Sequence, residues 1–399
     1  MRLQPDIAIV GAGLVGSGAA IALHQEGFSV LLIDNLNRKQ PVPLVQAWDN
    51  RVYAISPSNA AWLERLGVWS RLDSTRIGIM QSMEIHGDAT APPLLLAAEE
   101  VNTDHLGYIV EAQALMQAMM QQITSLDIPT LFDGTCTMIN NTENQVSLSI
   151  SQESEQTQLI ETNLLLAANG GQSWVRQELD INAQQFSYQQ VALVANFTVE
   201  QSHANIARQW FSHDADGDMI ILAWLPLNDH TISIVWSVSS LFGAKLLALS
   251  DESFTQHVAD AGGRCLGELK LLAKPSSFPL SQQKAESLFQ DCVLLVGDAA
   301  HKIHPMAGQG VNLGFRDVLD LVKVLANKNQ YQSLHDHSLL RKYTRLRKVD
   351  MAQMLLLTDG LYRLFANSHP AVKNLRSWGL SIAKQAFVKK ILVAQAIRL

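Results

Sequence analysis

The residues best equipped for chemistry lie between 297 and 317, which read GDAAHKIHPMAGQGVNLGFRD. The apolar run Cys292–Val296 precedes them and ends at Gly297-Asp298, the pattern of a buried strand reaching a tight turn. Beyond Asn312, Val318, Leu321, Val322 and Leu325 recur at i, i+3, i+4 and i+7, one face of a helix. The spacing therefore predicts strand, glycine-rich loop, helix. Such a loop aims backbone N–H groups and a helix N-terminus at whatever occupies it. Gly308 and Gly310 let a flat or anionic group approach the backbone, and Asp298 can accept hydrogen bonds from hydroxyls. No carboxylate or cysteine completes a ligand set around His301 and His304, so no metal site is expected.

A second constellation opens the chain. Asp6–Val10 reads as a strand, followed by Gly11-Ala12-Gly13-Leu14-Val15-Gly16, a helix ending at Gly27, and a second strand Ser29–Ile33 that stops at Asp34. Strand, GxGxxG, helix, strand and an acid about 20 residues on form the dinucleotide-binding fingerprint. Gly11 permits the tight turn, Gly13 lets a pyrophosphate approach, Gly16 lets helix and strand pack closely, and Asp34 accepts from a ribose. The fingerprint alone does not choose among dinucleotides.

The 297–317 segment closely resembles the second flavin-contacting motif of the class A flavoprotein monooxygenases, the para-hydroxybenzoate hydroxylase-like fold. Within that superfamily the chain is most similar to the ubiquinone-biosynthesis hydroxylases. The resemblance decides for FAD over NAD as the resident dinucleotide. It implies that Asp298 contacts the ribityl chain, that Gly308, Gly310, Val311 and Asn312 lie along the isoalloxazine ring, and that His304 and Pro305 sit near it. His304 is the one catalytic candidate. Arg51, opening Arg51–Ser56 ahead of a helix that ends Leu66-Gly67-Val68-Trp69, matches a family arginine near the FAD phosphates and the nicotinamide approach. Gln113 matches a flavin-contacting polar residue at the start of the next helix, whose Leu115, Met116, Met119 and Met120 read as packing.

Leu164–Arg176 resembles the third family motif, with one departure: Asn169 stands where the family has Asp. Asparagine offers a donor and a neutral acceptor but no charge, so any tie to a charged partner is weakened. Tyr188-Gln189, Leu225-Pro226-Leu227, Val235-Trp236-Ser237 and Phe278-Pro279-Leu280 resemble the ubiquinone hydroxylases specifically. The likeness runs from Ile7 to the C-terminal helices. It implies an FAD-dependent hydroxylase that takes electrons from NAD(P)H and oxygen from O2 and acts on the ring of a polyprenyl phenol or quinol. Two alternatives stand beside it: another aromatic or terpenoid substrate, and a non-catalytic flavin-binding scaffold, which Asn169 keeps open.

The 399 residues are 47% hydrophobic and 17% charged, with a net charge of −7 and a pI near 5.9. That balance supports a folded chain and argues against nucleic acid, which selects a basic footprint. Three scattered cysteines without CxxC spacing fit a reducing cytoplasm. No apolar run reaches the length of a membrane span, so contact with a membrane, or with other ubiquinone-biosynthesis proteins at its inner face, is expected to be peripheral. The expected fold is α/β. A Rossmann-type FAD-binding domain with a parallel sheet (1–75, 101–180, 281–330) is interleaved with an antiparallel-sheet substrate domain (76–100, 181–280), followed by C-terminal helices (331–399). Trp210, Trp224 and Trp236 read as core rather than ligand contacts. The last helix carries Phe387, Ile391 and Ala394 on one stripe among Lys384, Lys389, Lys390 and Arg398, and reads as packed on the body more than as an interfacial helix.

Overall fold

Apolar runs without polar alternation are buried on both faces, the mark of a parallel sheet covered by helices. Ile7–Val10, Val30–Ile33, Leu164–Ala167 and Val293–Leu295 are such runs, and every residue in them is buried. The computed structural model, which describes residues 2–36, 48–87, 93–152, 157–214, 216–303 and 308–366, places them side by side in a six-stranded sheet. Its order is Phe289–Gln290, Val293–Leu295, Leu164–Ala167, Ile7–Val10, Val30–Ile33 and Thr130–Leu131, parallel except at the first pair. Val10 pairs with Ile33 and Ala167, and Ala167 pairs with Leu295. The turns that follow at Gly11, Asp34, Ala168 and Val296 therefore emerge along one edge, outside the carboxyl ends of the strands, where ligands bind in open α/β sheets.

The described helices are α1 (Leu14–Gln25), α2 (Pro57–Arg65), α3 (Ala112–Ser125), α4 (Trp174–Glu178), α5 (Ser240–Leu247), α6 (Asp251–Ala261), α7 (Gly310–Ala326) and α8 (His337–Ala366). α1 and α7 cross closely because position 314 carries no side chain: a Cβ there would stand 2.5 Å from Val15 Cγ2. An antiparallel three-stranded sheet of Val52–Ile55, Gly107–Glu111 and Gly78–Met80 lies beside this unit. The described residues of the polar stretch Asn140–Gln158 fall in strands Gly134–Asn141 and Val146–Gln152, which pair as a hairpin, and in Thr157–Thr162, which extends it and is followed by Arg2–Leu3.

A nine-stranded sheet follows the order His301–Lys302, Ser276–Ala285, Ala183–Val199, Thr231–Ser239, Met219–Pro226, Ile206–His213, Ser82–His86 and Leu94–Ala97, with Leu269–Leu271 paired to the 17-residue strand Ala183–Val199. α5 and α6 cover one face of it, burying Phe197, Trp224, Trp236 and Phe254. Trp224 and Trp236 are core, as the sequence suggests, while Trp210 is half-buried and stacks on His86 at 5.0 Å.

The expected strand and helix are present as Val293–Leu295 and α7, and the stretch between them carries two short elements the spacing did not predict. A single 3-10 turn, Gly297–Ala299, and a two-residue strand, His301–Lys302, precede α7, and that strand pairs with Gln283–Lys284. Two residues are too few for any periodicity to register. The consequence is architectural: within a few residues the chain leaves the parallel sheet and joins the antiparallel one, with Asp298 at the joint. The apolar stripe at 387–394 lies outside the described residues.

Gly262 caps α6 at φ −90°, a conformation open to any residue, yet a Cβ there would meet the Trp224 indole at 2.1 Å. Gly262→Ala is expected to lower stability by about 1–3 kcal/mol through overpacking, read from a urea midpoint, while leaving the first sheet's near-neighbours undisturbed.

Candidate functional site

The glycine-rich loop is shaped by contacts that a sequence pattern only implies. Gly11 sits at φ +107°, and a Cβ there would lie 2.5 Å from the Ala168 carbonyl oxygen. At Gly16 it would lie 1.8 Å from the Gly11 carbonyl oxygen, so α1 closes onto the loop only with glycine. Gly13 differs: no atom lies within 4 Å of its Cβ position, and as N-cap of α1 it leaves the helix N–H groups facing that open space. Open space in front of a helix N-terminus is a setting that suits a phosphate group. Asp34 has a role the motif does not advertise. Its carboxylate accepts the Ala12 N–H at 2.6 Å and the Leu36 N–H at 2.9 Å, so it fixes the loop.

At the neighbouring strand end, the Ser173 hydroxyl donates to Asn169 Oδ1 at 2.5 Å and accepts the Arg176 N–H at 3.1 Å. The Arg176 guanidinium is buried, which lowers its pKa, and it donates to the Ala299 and Gly171 carbonyls at 3.0 and 2.9 Å. Among the described residues no carboxylate pairs with it. The arginine therefore ties this turn to the Asp298 turn through main-chain carbonyls, and Asn169 serves by locking the Ser173 cap.

Asp298 is open to the cleft while protein crowds it on most sides. That confinement raises its pKa; His301, Lys302 and Arg51 pull it back, and Asp317 adds to the rise. Its side chain has no hydrogen-bond partner among the described residues, leaving an acceptor free for a ligand hydroxyl. Beside it stands Tyr53, which the motifs do not single out. The Arg51 guanidinium lies over its ring, 5.3 Å from the centre, and burial raises the Tyr53 pKa. Asp49 accepts the Arg51 N–H at 2.9 Å and the Gln113 N–H at 3.1 Å, so one carboxylate brings together two predicted residues 62 positions apart. A short Asx turn, Asp-Asn-Arg before a strand, was the only local signal for it.

Gly308 adopts φ +61°, and Gly310 opens α7 with nothing within 4 Å of its Cβ position. Val311 is buried. Asn312 is not free to reach a ligand with its side chain: Nδ2 donates to the Ala54 carbonyl at 2.8 Å, and Oδ1 accepts from Asn59 Nδ2 at 2.8 Å and the Ser56 N–H at 3.1 Å. It pins the start of α7 against residues 54–59, so its place beside the cleft is structural. His304 and Pro305 lie outside the described residues.

Beneath the turn lies an ionic cluster. Asp317, fully buried, takes the Gly297 N–H at 2.8 Å and His301 Nε2 at 2.7 Å on one oxygen, and Arg347 Nε at 2.7 Å on the other. Arg347, also buried, reaches Asp320 at 2.8 Å and Asp350 at 2.7 Å. Burial alone would raise the Asp317 pKa, but His301, Arg347 and the Gly297 N–H outweigh it and hold the pKa below the usual carboxylate range. Among the described residues no group of three or more His, Cys, Asp or Glu could hold a metal, and no helix is long and apolar enough to cross a membrane.

Asp317→Asn leaves buried Arg347 short of charge and is expected to cost about 3 kcal/mol in a denaturant titration at neutral pH. Because the folded pKa is depressed, that difference is fully present above about pH 4, the unfolded value, and shrinks as pH falls through the folded one.

Residues 4–357 match the FAD binding domain family. The 3-demethoxyubiquinol 3-hydroxylase of Escherichia coli is 33% identical over 395 residues, covering 98% of this chain and 97% of that one. Ubiquinone hydroxylase UbiL of Rhodospirillum rubrum is 31% identical, covering 98% and 89%, and the human ubiquinone biosynthesis monooxygenase COQ6 is 29% identical, covering 94% and 88%. Among solved structures, p-nitrophenol 4-monooxygenase PnpA of Pseudomonas putida superposes with a TM-score of 0.76 at 16% identity, covering 99% of this chain and 98% of that one. The anhydrotetracycline hydroxylase OxyS of Streptomyces rimosus gives 0.73 at 19%, covering 100% and 76%. The open cradle at Gly13, the free Asp298 carboxylate and the glycine-lined start of α7 fit the cofactor these likenesses specify. The chain belongs to the FAD-dependent monooxygenases built on this FAD binding domain, alongside the ubiquinone-biosynthesis hydroxylases.

Proposed function

We propose that this enzyme hydroxylates the aromatic ring of a polyprenyl phenol or quinol in ubiquinone biosynthesis, with NAD(P)H as reductant and O2 as the oxygen source. The observation that carries the reading is end-to-end likeness to a relative named for such a reaction, 33% identical across 98% of this chain and 97% of that one.

In this reading Gly11, Gly13 and Gly16 with the N-terminus of α1 hold the FAD pyrophosphate, and Asp34 the adenosine ribose. Asp298 accepts from the ribityl hydroxyls, and the backbone of Gly308, Gly310, Val311 and Asn312 lines the ring, with His304 and Pro305 beside it. Arg51, held at its N–H by Asp49 and lying over the Tyr53 ring, offers the positive charge for phosphates of FAD or of NAD(P)H, and Gln113, tied to the same Asp49, borders the site. FAD supplies the redox and oxygen-transfer chemistry, so the chain's tasks are binding, orientation and exclusion of water. That division of labour accounts for the lack of a nucleophile or a carboxylate pair in the sequence motifs. A scaffold without turnover would need a defect in the cofactor turns. Arg176 and Ser173 give no sign of one, because the tie expected to depend on an aspartate at 169 runs through carbonyls instead.

Two measurements bear on this. Anaerobic stopped-flow of the flavin-loaded protein with NADH or NADPH is expected to show reduction that accelerates with a short-chain prenylphenol, and mass spectrometry the product one oxygen heavier. A flavin that stays oxidised under every condition sinks the hydroxylase reading. Separately, Asp298→Ala is expected to weaken FAD binding roughly tenfold, the worth of a charge-assisted hydrogen bond. A ribityl hydroxyl donates to the ionised carboxylate, whose pKa in the empty protein is raised. Wild-type affinity should therefore fall as pH drops through that raised value, above the ordinary carboxylate pKa of about 4, while Asp298→Asn stays flat.

A further inference from the structure

α8 has two unlike faces. Inward, Leu340, Tyr343, Arg347, Met351 and Met354 are buried. Outward, Arg341, Thr344, Arg345, Lys348 and Val349 fall at i, i+3, i+4, i+7 and i+8, a single stripe. With Ser287 and Phe289 of the neighbouring hairpin they line an open recess of about 440 Å³. Five basic residues and no acidic one lie between 341 and 348, in a chain whose net charge is −7. Arg347 turns inward to the Asp317 cluster. The three cations of the recess have no anionic partner among the described residues, and Thr344 Oγ1 is buried without a hydrogen-bond partner. Apolar side chains stand out beside them: Leu346 is 44% exposed, Val349 56% and Leu356 77%. Cations interleaved with exposed aliphatics make a surface that suits the headgroup layer of a bilayer better than bulk water.

We propose that this recess binds an anionic phospholipid headgroup, its phosphate seated among Arg341, Arg345 and Lys348 with the Thr344 hydroxyl donating, and that it docks the enzyme on a membrane surface. The unpaired cations select an anionic group, and the exposed aliphatics favour a lipid over a free anion. The choice of lipid rests on the proposed function, since a polyprenyl substrate resides in the bilayer. The recess lies on the outward side of the helix whose inward side anchors the Gly297 turn.

The test is co-sedimentation of the full-length, FAD-loaded protein with vesicles of phosphatidylglycerol and phosphatidylcholine, against phosphatidylcholine alone. Expected are binding to the anionic vesicles that weakens with salt, a loss of roughly tenfold or more in the double variant R341E/R345E, and a smaller loss in Thr344→Val. Hydroxylation of a water-soluble short-chain phenol should be unaffected in both variants. Equal partition into neutral vesicles overturns the proposal, as does an R341E/R345E protein that binds anionic vesicles like the wild type. Saturable binding of inorganic phosphate, or of an acidic protein, without vesicle binding does so too. Vesicle binding by a protein that hydroxylates no phenol would leave the docking site standing and remove only the proposed reaction.

Discussion

The carboxylate of Asp317 is the point on which the cofactor side of the molecule depends. Three elements that share no local sequence meet on it: the Gly297 turn by its N–H, the strand to the second sheet by His301, and α8 by Arg347. A buried charge is tolerated only when its lone pairs are satisfied and its charge is balanced, so the three must arrive together. Gly297 itself stands at φ +58°, 3.2 Å at its Cβ position from Val15, so the turn has nowhere to relax. Asp298, one residue on, inherits that rigidity and keeps its carboxylate facing the cleft, not coiled back on the protein. The cluster is therefore less a source of stability than a device for fixing a turn, which is the better-attested use of buried ion pairs.

Most of the parallel unit was legible because its signals are local. Runs such as Leu164–Ala167 admit one reading, and Gly11, Gly13 and Gly16 carry distinct steric jobs at fixed spacing. What escaped were residues whose role exists only across the fold. Asp49 and Asp317 have no periodic or motif signature, and each acts on a partner brought from far along the chain. His301–Lys302 was missed as a strand because two residues carry no alternation. Asn312 shows the converse: the motif sets it beside the ring, while the structure spends its amide on Ala54, Ser56 and Asn59. A motif gives a residue's neighbourhood before it gives its task.

Asn169 makes the same point from the other side. An aspartate there suggests a charge partner for the motif's arginine, and its loss suggests a weakened site. Yet Arg176 meets the Ala299 and Gly171 carbonyls, and a guanidinium with five donors is as well served by carbonyl oxygens fixed in a turn as by one carboxylate. The price is an uncompensated buried cation, visible in the lowered Arg176 pKa.

Fold likeness alone does not choose a reaction: the same architecture, at TM-scores of 0.75 and 0.73, is shared with a flavin-dependent halogenase and a Diels–Alderase. In the nine-stranded sheet, register decides which side chains share a face. Directly paired residues share a face. Leu193 pairs with Trp236 and Trp236 with Leu222, so the tryptophan row lies on the side covered by α5 and α6. The opposite row runs Val194, Val235, Ala223, Gln209. Two residues along the same strand from Val194, Asn196 donates to the Asp49 carbonyl at 2.9 Å, which turns this face toward the Arg51 segment and the cleft. Phe197, Trp224 and Trp236 are thus committed to holding the sheet, while the opposite face carries Ala192, Val194 and Val235 with Tyr188 and Leu280 packed beside them. Register thus separates the side chains that hold the sheet together from those that face the Arg51 segment.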